Sequence, residues 1–260
     1  MRLAGIHAVG YRTDGRRLLL HRSIFKPANK HEVEYFWDLG KFASTCWAAN
    51  PSLWAKSPPK QLVFPVTSEA RLAAARALAQ HHIDQPFIVV CPGGVVDAQH
   101  QARIWPRFYD FCRALVGKGY KVVTCPAPSE VFEYRRLLPE VTTIAGLSLN
   151  ELAAVLQNAD KVVSSDTGPM HLATAVATPC LGIFGPTTPG RTRPWNGHYV
   201  GGLSGQWPSW EDVGTAFEAL TNDGAVKSRN CSVGSAKTSF QLAIDESKEL
   251  PADGSRTKSA

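Results

Sequence analysis

Short apolar runs alternate with amphipathic stretches through the middle of the chain. Phe87-Ile88-Val89-Val90-Cys91 is an unbroken apolar run closed by Pro92-Gly93-Gly94. Its length and β-branched content predict a strand covered on both faces. Trp105-Pro106 opens a helical stretch whose apolar positions Phe108, Phe111, Cys112, Leu115 and Val116 share one face, and Gly117 and Gly119 stop it. Further strands are predicted over 120–125, 141–145, 162–165 and 180–184, and further helices over 130–138, 148–159 and 171–177. Ser148-Leu149-Asn150-Glu151 is a capping box and marks where one of these helices starts. Five strand–helix units in a row predict an α/β fold with a doubly wound parallel sheet over residues 86–220. In such sheets ligands bind at the C-terminal ends of the strands. Gly93-Gly94, Asp166 to Gly168 and Gly185 to Thr187 all fall at such ends.

The flanks read differently. Residues 1–85 carry a predicted strand over 16–21 and a helix over 31–42, with loops at Pro51, Pro58, Pro59 and Pro65. A strong Ala/Leu/Arg helix is predicted over 68–80, capped by Thr67 or Ser68. This is too little for a complete second α/β domain and reads as the remainder of one. Pro208 to Leu220 predicts a last helix. Residues 221–260 are about 30% apolar against 44% for the whole chain, too few to offset the entropy of ordering, so a tail is expected there.

Composition narrows the function classes. No apolar run reaches the roughly 18 residues of a membrane-spanning helix, and residues 1–22 lack a signal-peptide core, so a cytoplasmic protein is expected. The net charge of +6 is concentrated in residues 1–60, which hold ten Lys and Arg against four Asp and Glu. A basic end fits an anionic partner such as an acidic glycolipid surface, or simply a solvated face. Basic and aromatic residues are not interleaved as a nucleic-acid platform requires, so no nucleic-acid partner is expected. The six cysteines show no Cys-x-x-Cys and no zinc spacing with histidine, and read as buried free thiols.

Asp166-Thr167-Gly168-Pro169-Met170-His171 carries the chemistry. A strand that ends in Asp-Thr-Gly and opens into a helix presents first-turn amides and the positive end of the helix dipole to an anion. Gly168 lets a ligand approach the backbone, Pro169 suits the first turn, and His171 follows one turn in. The arrangement predicts a diphosphate pocket. Plainer readings exist: Asp166 as a helix cap, His171 as a packed helix residue, Gly93-Gly94 as a turn, Arg103 as a solvated charge. Asp-Thr-Gly also occurs in aspartic proteases, but there it needs an all-β fold and a second copy, and this chain has one copy followed by a helix.

Pro92-Gly93-Gly94, Arg103-Ile104-Trp105-Pro106, Leu147 to Leu152, Asp166 to His171 and Phe184-Gly185-Pro186-Thr187 occur in this order. Together they resemble the donor-binding half of glycosyltransferase family 9, the heptosyltransferases of the lipopolysaccharide inner core. The resemblance covers roughly residues 5–200. It implies a GT-B-type transferase whose C-terminal domain holds an ADP-sugar and whose N-terminal domain presents the acceptor. By position it makes Arg103 a diphosphate contact, in place of the usual lysine. Asp166, Thr167, Gly168 and His171 then surround the diphosphate and sugar. Glu130 stands near the nucleotide, Met170 and Leu149 are walls of its pocket, and Gly93, Gly94, Gly185 and Thr187 complete the donor site. His31 in His31-Glu32-Val33-Glu34 corresponds to a position beside the acceptor cleft, or is a surface histidine.

The implied reaction is inverting transfer of a heptose or related sugar from an ADP-sugar to a lipopolysaccharide core or lipid A acceptor, with possible peripheral contact with the inner membrane. Charge growing on the departing diphosphate is stabilised by preorganised donors, so neither a cofactor nor a metal is called for. The attacking hydroxyl needs a general base. Against the family pattern, Met1 to Gly5 corresponds to the middle of the first domain. The usual acidic base precedes that point, so no catalytic residue is assignable here. A catalytically inactive, truncated nucleotide-sugar-binding remnant is the alternative expectation, and a sugar-nucleotide epimerase a third.

Overall fold

The apolar run at residues 87–91 becomes the centre of a sheet because its alternate side chains serve two cores. The computed structural model describes residues 5–47, 54–93, 103–202 and 205–220. In strand β3 (Phe87–Cys91), Val89 and Cys91 face one apolar layer, and Ile88 and Val90 face the other. The period-two alternation of a strand produces this split. β4 (Lys121–Thr124), β5 (Thr142–Thr143), β6 (Lys161–Ser165), β7 (Cys180–Phe184) and β8 (His198–Gly201) complete a six-stranded parallel sheet in the order β5-β4-β3-β6-β7-β8.

Helices cover both faces. Numbering from α1 in the N-terminal lobe, α2 (Ser68–Gln80), α5 (Leu149–Asn158) and α6 (Gly168–Ala175) contribute Ala74, Leu78, Val155, Met170 and Ala173 to one layer. α3 (Phe108–Gly117), α4 (Val131–Leu137) and α8 (Trp210–Glu218) contribute Phe111, Leu115, Tyr134 and Phe217 to the other. Trp105 is buried against Trp210 and Phe111, and its indole N–H donates to the carbonyl oxygen of Pro208 at 3.1 Å. It anchors the core, and its one polar atom has a partner. The winding reverses between β3 and β6, so the loops after these two strands diverge and leave a crevice at their C-terminal ends.

The remaining described residues form a small N-terminal lobe. β1 (Val9–Tyr11) and β2 (Arg22–Ile24) pair in parallel, and α1 (Glu32–Cys46) packs on them. Tyr11 Oη donates to the carbonyl oxygen of Tyr35 at 2.7 Å, and Tyr35 Oη donates to that of Pro27 at 2.6 Å. The expected strand over 16–21 is not formed. Asp14 and Gly15 adopt left-handed backbone angles, and Arg16–Leu18 is a 3₁₀ turn between the two real strands.

α2 lies outside this lobe. Val66, Ala70, Ala74, Leu78 and Ile83 share a core with β3, so physically the lobe boundary falls before the helix rather than at residue 85. The segment leading into α2 is pinned to the larger domain. Phe64 N–H donates to the carbonyl oxygen of Ala175 at 2.9 Å, and Asn150 bonds both Thr67 N–H and the Pro65 carbonyl. The expected tail and Gly94 lie outside the described residues.

Candidate functional site

Three chain segments meet at the switch point. Cys91 of β3 pairs in register with Ser164 of β6, which brings Gly93 and Asp166 to neighbouring crests. Gly93 has φ 112°, a left-handed value that glycine tolerates. A Cβ on it would stand 3.1 Å from Thr167 Cγ2 and 3.9 Å from Ile104 Cγ1, so the loop ends carrying Thr167 and Arg103-Ile104 close around it. Arg103 itself is exposed. Tyr134 of α4 holds Gly93 from below. Its hydroxyl donates to the Gly93 carbonyl oxygen at 2.8 Å and accepts from the Gly93 N–H at 3.2 Å. Burial pushes the Tyr134 phenol well above its ordinary range, so it stays protonated and keeps both bonds.

The mouth of α6 stands beside this crest. Thr167 is its N-cap in extended conformation, yet its side chain makes no cap bond. The hydroxyl lies 3.0 Å from Ser164 Oγ and 3.4 Å from the Ser165 carbonyl oxygen, turned toward its own strand end. Gly168 starts the helix, three residues earlier than the apolar pattern alone placed it, and among the described residues a Cβ there would meet nothing within 4 Å beyond its own helix turn. Asp166 accepts from Thr192 Oγ1 at 3.3 Å.

His171 opens to the crevice. Protein crowded around its ring lowers its pKa below the usual imidazole value; Asp166 opposes the shift and His31 adds to it. The ring is accessible to water and still partly desolvated, as fits a side chain at the bottom of an open cleft.

A cavity of about 410 Å³ adjoins these crests, reaching from Gly93, Thr167 and Pro169 to the loop after β4. Its walls are mostly apolar: Cys91, Cys125, Pro126, Ala127, Pro128, Leu147, Leu149 and Leu152, with Glu130 at one side. Glu130 Oε2 accepts from Ala127 N–H at 3.3 Å and so shapes the loop it faces. Leu149 is exposed at the rim. Burial pushes the Cys125 thiol up to about 12, which keeps it a neutral, weakly polar wall group.

Not every expected site residue gathers here. Met170 is fully buried in the core below α6; a Cβ on Gly182 of β7 would stand 2.7 Å from its sulfur, so it packs the helix on the sheet and is no pocket wall. Gly185 is buried under the Trp207 indole, where a Cβ would stand 2.3 Å from the ring, so its lack of a side chain serves packing. Thr187 is half-buried in the loop after β7 and outside the cavity wall. Tyr134, Cys125 and the Pro126-Ala127-Pro128 loop were not singled out from the sequence, and Leu147 and Leu152 entered only as the ends of the Leu147–Leu152 motif, without a role in the pocket. The visible signal for the loop was two prolines directly after a predicted strand.

The crevice is bounded on its other side by the N-terminal lobe. His31 is buried and caps α1: its Nδ1 accepts from Val33 N–H at 3.1 Å, which leaves Nε2–H to donate to the Arg193 carbonyl oxygen at 2.8 Å. It is thus an inter-lobe contact and not a surface histidine. Glu32 pairs with Arg191 of the short helix α7 (Pro189–Thr192), and the His31 and Trp195 rings lie 4.8 Å apart. Thr192, which bonds Asp166, sits between these two arginines. Among the described residues no group of three or more His, Cys, Asp or Glu is placed to hold a metal ion.

This geometry meets the comparisons with known proteins. The sequence pattern of glycosyltransferase family 9 (heptosyltransferase) matches residues 1–216. The chain belongs to glycosyltransferase family 9. Among curated family members, the lipooligosaccharide heptosyltransferase 2 of Haemophilus influenzae is 32% identical over 122 residues, 43% of this chain and 34% of that protein. The lipopolysaccharide heptosyltransferase 2 of Escherichia coli K12 is 26% identical over 207 residues, 74% of this chain and 57% of that protein. The chain thus spans between about a third and just over half of the length of these two relatives. The solved structure of the E. coli ADP-heptose lipopolysaccharide heptosyltransferase II superposes with a TM-score of 0.62 at 20% identity, covering 84% of this chain and 71% of that one. This likeness shows the fold, a GT-B-type arrangement with a doubly wound C-terminal domain.

Proposed function

We propose that the crevice between β3, β4 and β6 binds the nucleotide of an ADP-sugar, and that the chain serves transfer of a heptose or related sugar to a lipopolysaccharide core acceptor. The observation that carries this reading is the adjacency of two unlike surfaces. A mostly apolar cavity of about 410 Å³ suits a base and ribose, and it ends at the Gly93 crest and the mouth of α6, which suit a diphosphate. Relatives whose names specify ADP-heptose and lipopolysaccharide support the choice of donor and acceptor.

In this reading the base packs between Leu149 and the Pro126–Pro128 loop, and Glu130 accepts from the ribose. The diphosphate lies over Gly168, between Arg103 and His171. Negative charge developing on it as the anomeric C–O bond breaks meets the α6 dipole, the Arg103 guanidinium and the His171 ring. An acceptor hydroxyl attacks the opposite face of the sugar, inverting the anomeric centre, from the side where α1 and α7 border the crevice. A cytoplasmic setting follows from the donor, a soluble nucleotide-sugar; no helix among the described residues is long and apolar enough to cross a membrane.

Calorimetric titration with ADP tests the site: saturable binding is expected, and a folded protein with no detectable heat or competition would reject the reading. A product assay with ADP-heptose and core acceptor tests the transfer. Because the chain spans only part of its relatives' length, binding without turnover is the second reading, and it predicts ADP binding with no product.

A further inference from the structure

Two cysteines end adjacent strands. β3 and β4 pair in parallel, with Val89 opposite Val123. Two residues further along each strand come Cys91, the last of β3, and Cys125, directly after Thr124 at the end of β4. A step of two returns a strand's side chain to the same face. Cys91 and Cys125 accordingly pack in one apolar layer, the layer that also holds Val89 and Val123. Both thiols are free, and both line the cavity that adjoins the Gly93 crest. They are close enough to influence each other: burial holds the Cys91 thiol well above its ordinary pKa, and Cys125 is the next contribution in size. The other sulfurs of the domain stand apart. Cys112 belongs to the opposite layer, Cys180 begins β7 on the far side of β6, and the Met170 sulfur packs toward Gly182.

Spacing and ligand number select what such a pair can hold. Neighbouring strands stand about 4.8 Å apart. Two metal–thiolate bonds of about 2.3 Å laid end to end span about 4.6 Å. One ion therefore fits in line between the sulfurs, with a thiolate on either side. Zinc asks for four ligands, and among the described residues no group of three or more His, Cys, Asp or Glu is placed to hold a metal. Hard cations ask for oxygen ligands, whereas thiolates select soft ions such as Cu(I). Loading balances without redox chemistry. Cu(I) leaves a soluble chelate, each thiol gives its proton to solvent, two S–Cu bonds form, and no electron moves. The product carries one net negative charge, and the positive end of α6 faces the same cavity through Thr167 and Pro169.

We propose that Cys91 and Cys125 form a two-coordinate site for a soft monovalent cation, Cu(I), in the wall of this cavity. The proposal goes beyond the nucleotide reading. Metal uptake is measured with no nucleotide present, so ADP binding and copper binding fail independently.

The test is anaerobic titration of the reduced full chain with Cu(I) held by a chromophoric bicinchoninate chelator. Cys46→Ser and Cys231→Ser form the background, so that the remaining thiols are those of the larger domain. Withdrawal of one Cu(I) per chain from the chelator is expected, and X-ray absorption at the copper edge should show two sulfur neighbours. Cys91→Ser and Cys125→Ser should each lose the uptake. Cys91→Ser places a hydroxyl in the apolar layer and can disturb folding. Cys125→Val keeps the apolar bulk of the wall, so loss of uptake in a chain that unfolds at the temperature of its background is the decisive result. Three results would overturn the proposal. One is no withdrawal of Cu(I) by the folded, reduced chain. Another is equal uptake by the background and the Cys125→Val variant. The third is a copper centre with three or more sulfur neighbours, since the pair would then be only part of a cluster joining several chains.

Discussion

The Tyr134 hydroxyl grips Gly93 through both of its backbone polar groups, accepting from the N–H at 3.2 Å and donating to the carbonyl oxygen at 2.8 Å. One side chain of α4 thereby fixes the crest that closes over the proposed diphosphate, while its ring lines the proposed base cavity. Tyr134→Phe keeps the ring and removes both bonds. Two partly buried backbone groups then lose a partner, at a cost of about 1–3 kcal/mol in unfolding free energy. The free crest should weaken ADP affinity by about tenfold, while adenosine, which lacks the phosphates, should be affected less. Denaturant unfolding and calorimetry with the two ligands check this, and equal losses for ADP and adenosine would place Tyr134 in base binding instead.

Gly168 and Gly185 are both glycines at strand ends, and their surroundings differ: open space at Gly168, the Trp207 indole at Gly185. Gly168→Ala should fold as well as wild type, since among the described residues nothing beyond its own helix turn lies within 4 Å of the new methyl and the backbone is already helical. Its effect should appear in ADP affinity, several-fold weaker because the methyl occupies the approach to the α6 mouth. Gly185→Ala should do the reverse. Its methyl collides with the Trp207 indole and should cost about 1–3 kcal/mol of stability. Thermal unfolding together with ADP titration separates the pair, and a stability loss in Gly168→Ala with unchanged ADP affinity would remove Gly168 from the site.

Asp166 and Arg103 give the direct test of the anion pocket. Asp166 accepts from Thr192, so Asp166→Ala frees the segment that carries Arg191 and Arg193 as well as altering the mouth of α6. Arg103 is exposed, and Arg103→Ala removes a cation with little consequence for folding. Each substitution is expected to weaken ADP binding by at least several-fold. Unchanged affinity in both variants by calorimetry would place the diphosphate elsewhere.

The sequence made the centre of the sheet legible and its margins obscure. β3 and β7 carry short runs without a charged or hydroxyl residue because both of their faces are covered, and β6 shares that burial from Val162 to Ser165; such segments stand out. β8 is an edge strand of mixed polarity and leaves no such mark, and β1 and β2 are three residues each. The Leu18 to Leu20 run imitated a strand, but the left-handed Asp14-Gly15 pair commits the chain to a turn. Within the site, Gly93 and Gly168 were legible because glycine at a strand end has a local meaning. Tyr134 was not, since its bond to Gly93 spans 41 residues. Met170 was misread because it is next to His171 in the motif. Each helical residue advances about 100° around the axis, so one side chain meets the sheet while the next faces the crevice.

The lowered pKa of His171 sets a pH dependence for binding. Unliganded, the ring is held neutral by desolvation at pH values where an exposed histidine begins to charge. A diphosphate beside it favours the imidazolium and raises its pKa, so binding takes up a proton. ADP affinity should therefore rise as pH falls from about 7.5 toward about 6, through the ordinary histidine range. For stability the sign is opposite. The unfolded chain, with the higher pKa, binds the proton more readily, so the unliganded protein loses stability as pH drops through that range. Calorimetry across pH checks the first effect, and His171→Asn should flatten it; a slope that survives this substitution belongs to the phosphate's own titration or to another group.

Cys125 offers a chemical readout of the cavity. The thiol lines the wall beside Pro126, and burial raises its pKa to about 12. At pH 8 only about one molecule in ten thousand carries the thiolate, so alkylation by iodoacetamide should be slow. Its rate should climb steadily with pH, because the reactive fraction grows tenfold per pH unit until the pKa is reached. ADP in the cavity should cover the sulfur and slow the reaction further, by the fraction of sites occupied. Cys46, half-buried on α1 and away from the cavity, serves as the internal control, and its labelling should ignore ADP. Peptide mass spectrometry after timed alkylation distinguishes the two sites. Protection of Cys125 with none at Cys46 would locate the nucleotide against the β4 loop, whereas equal rates at Cys125 with and without saturating ADP would mean that the base lies outside this cavity.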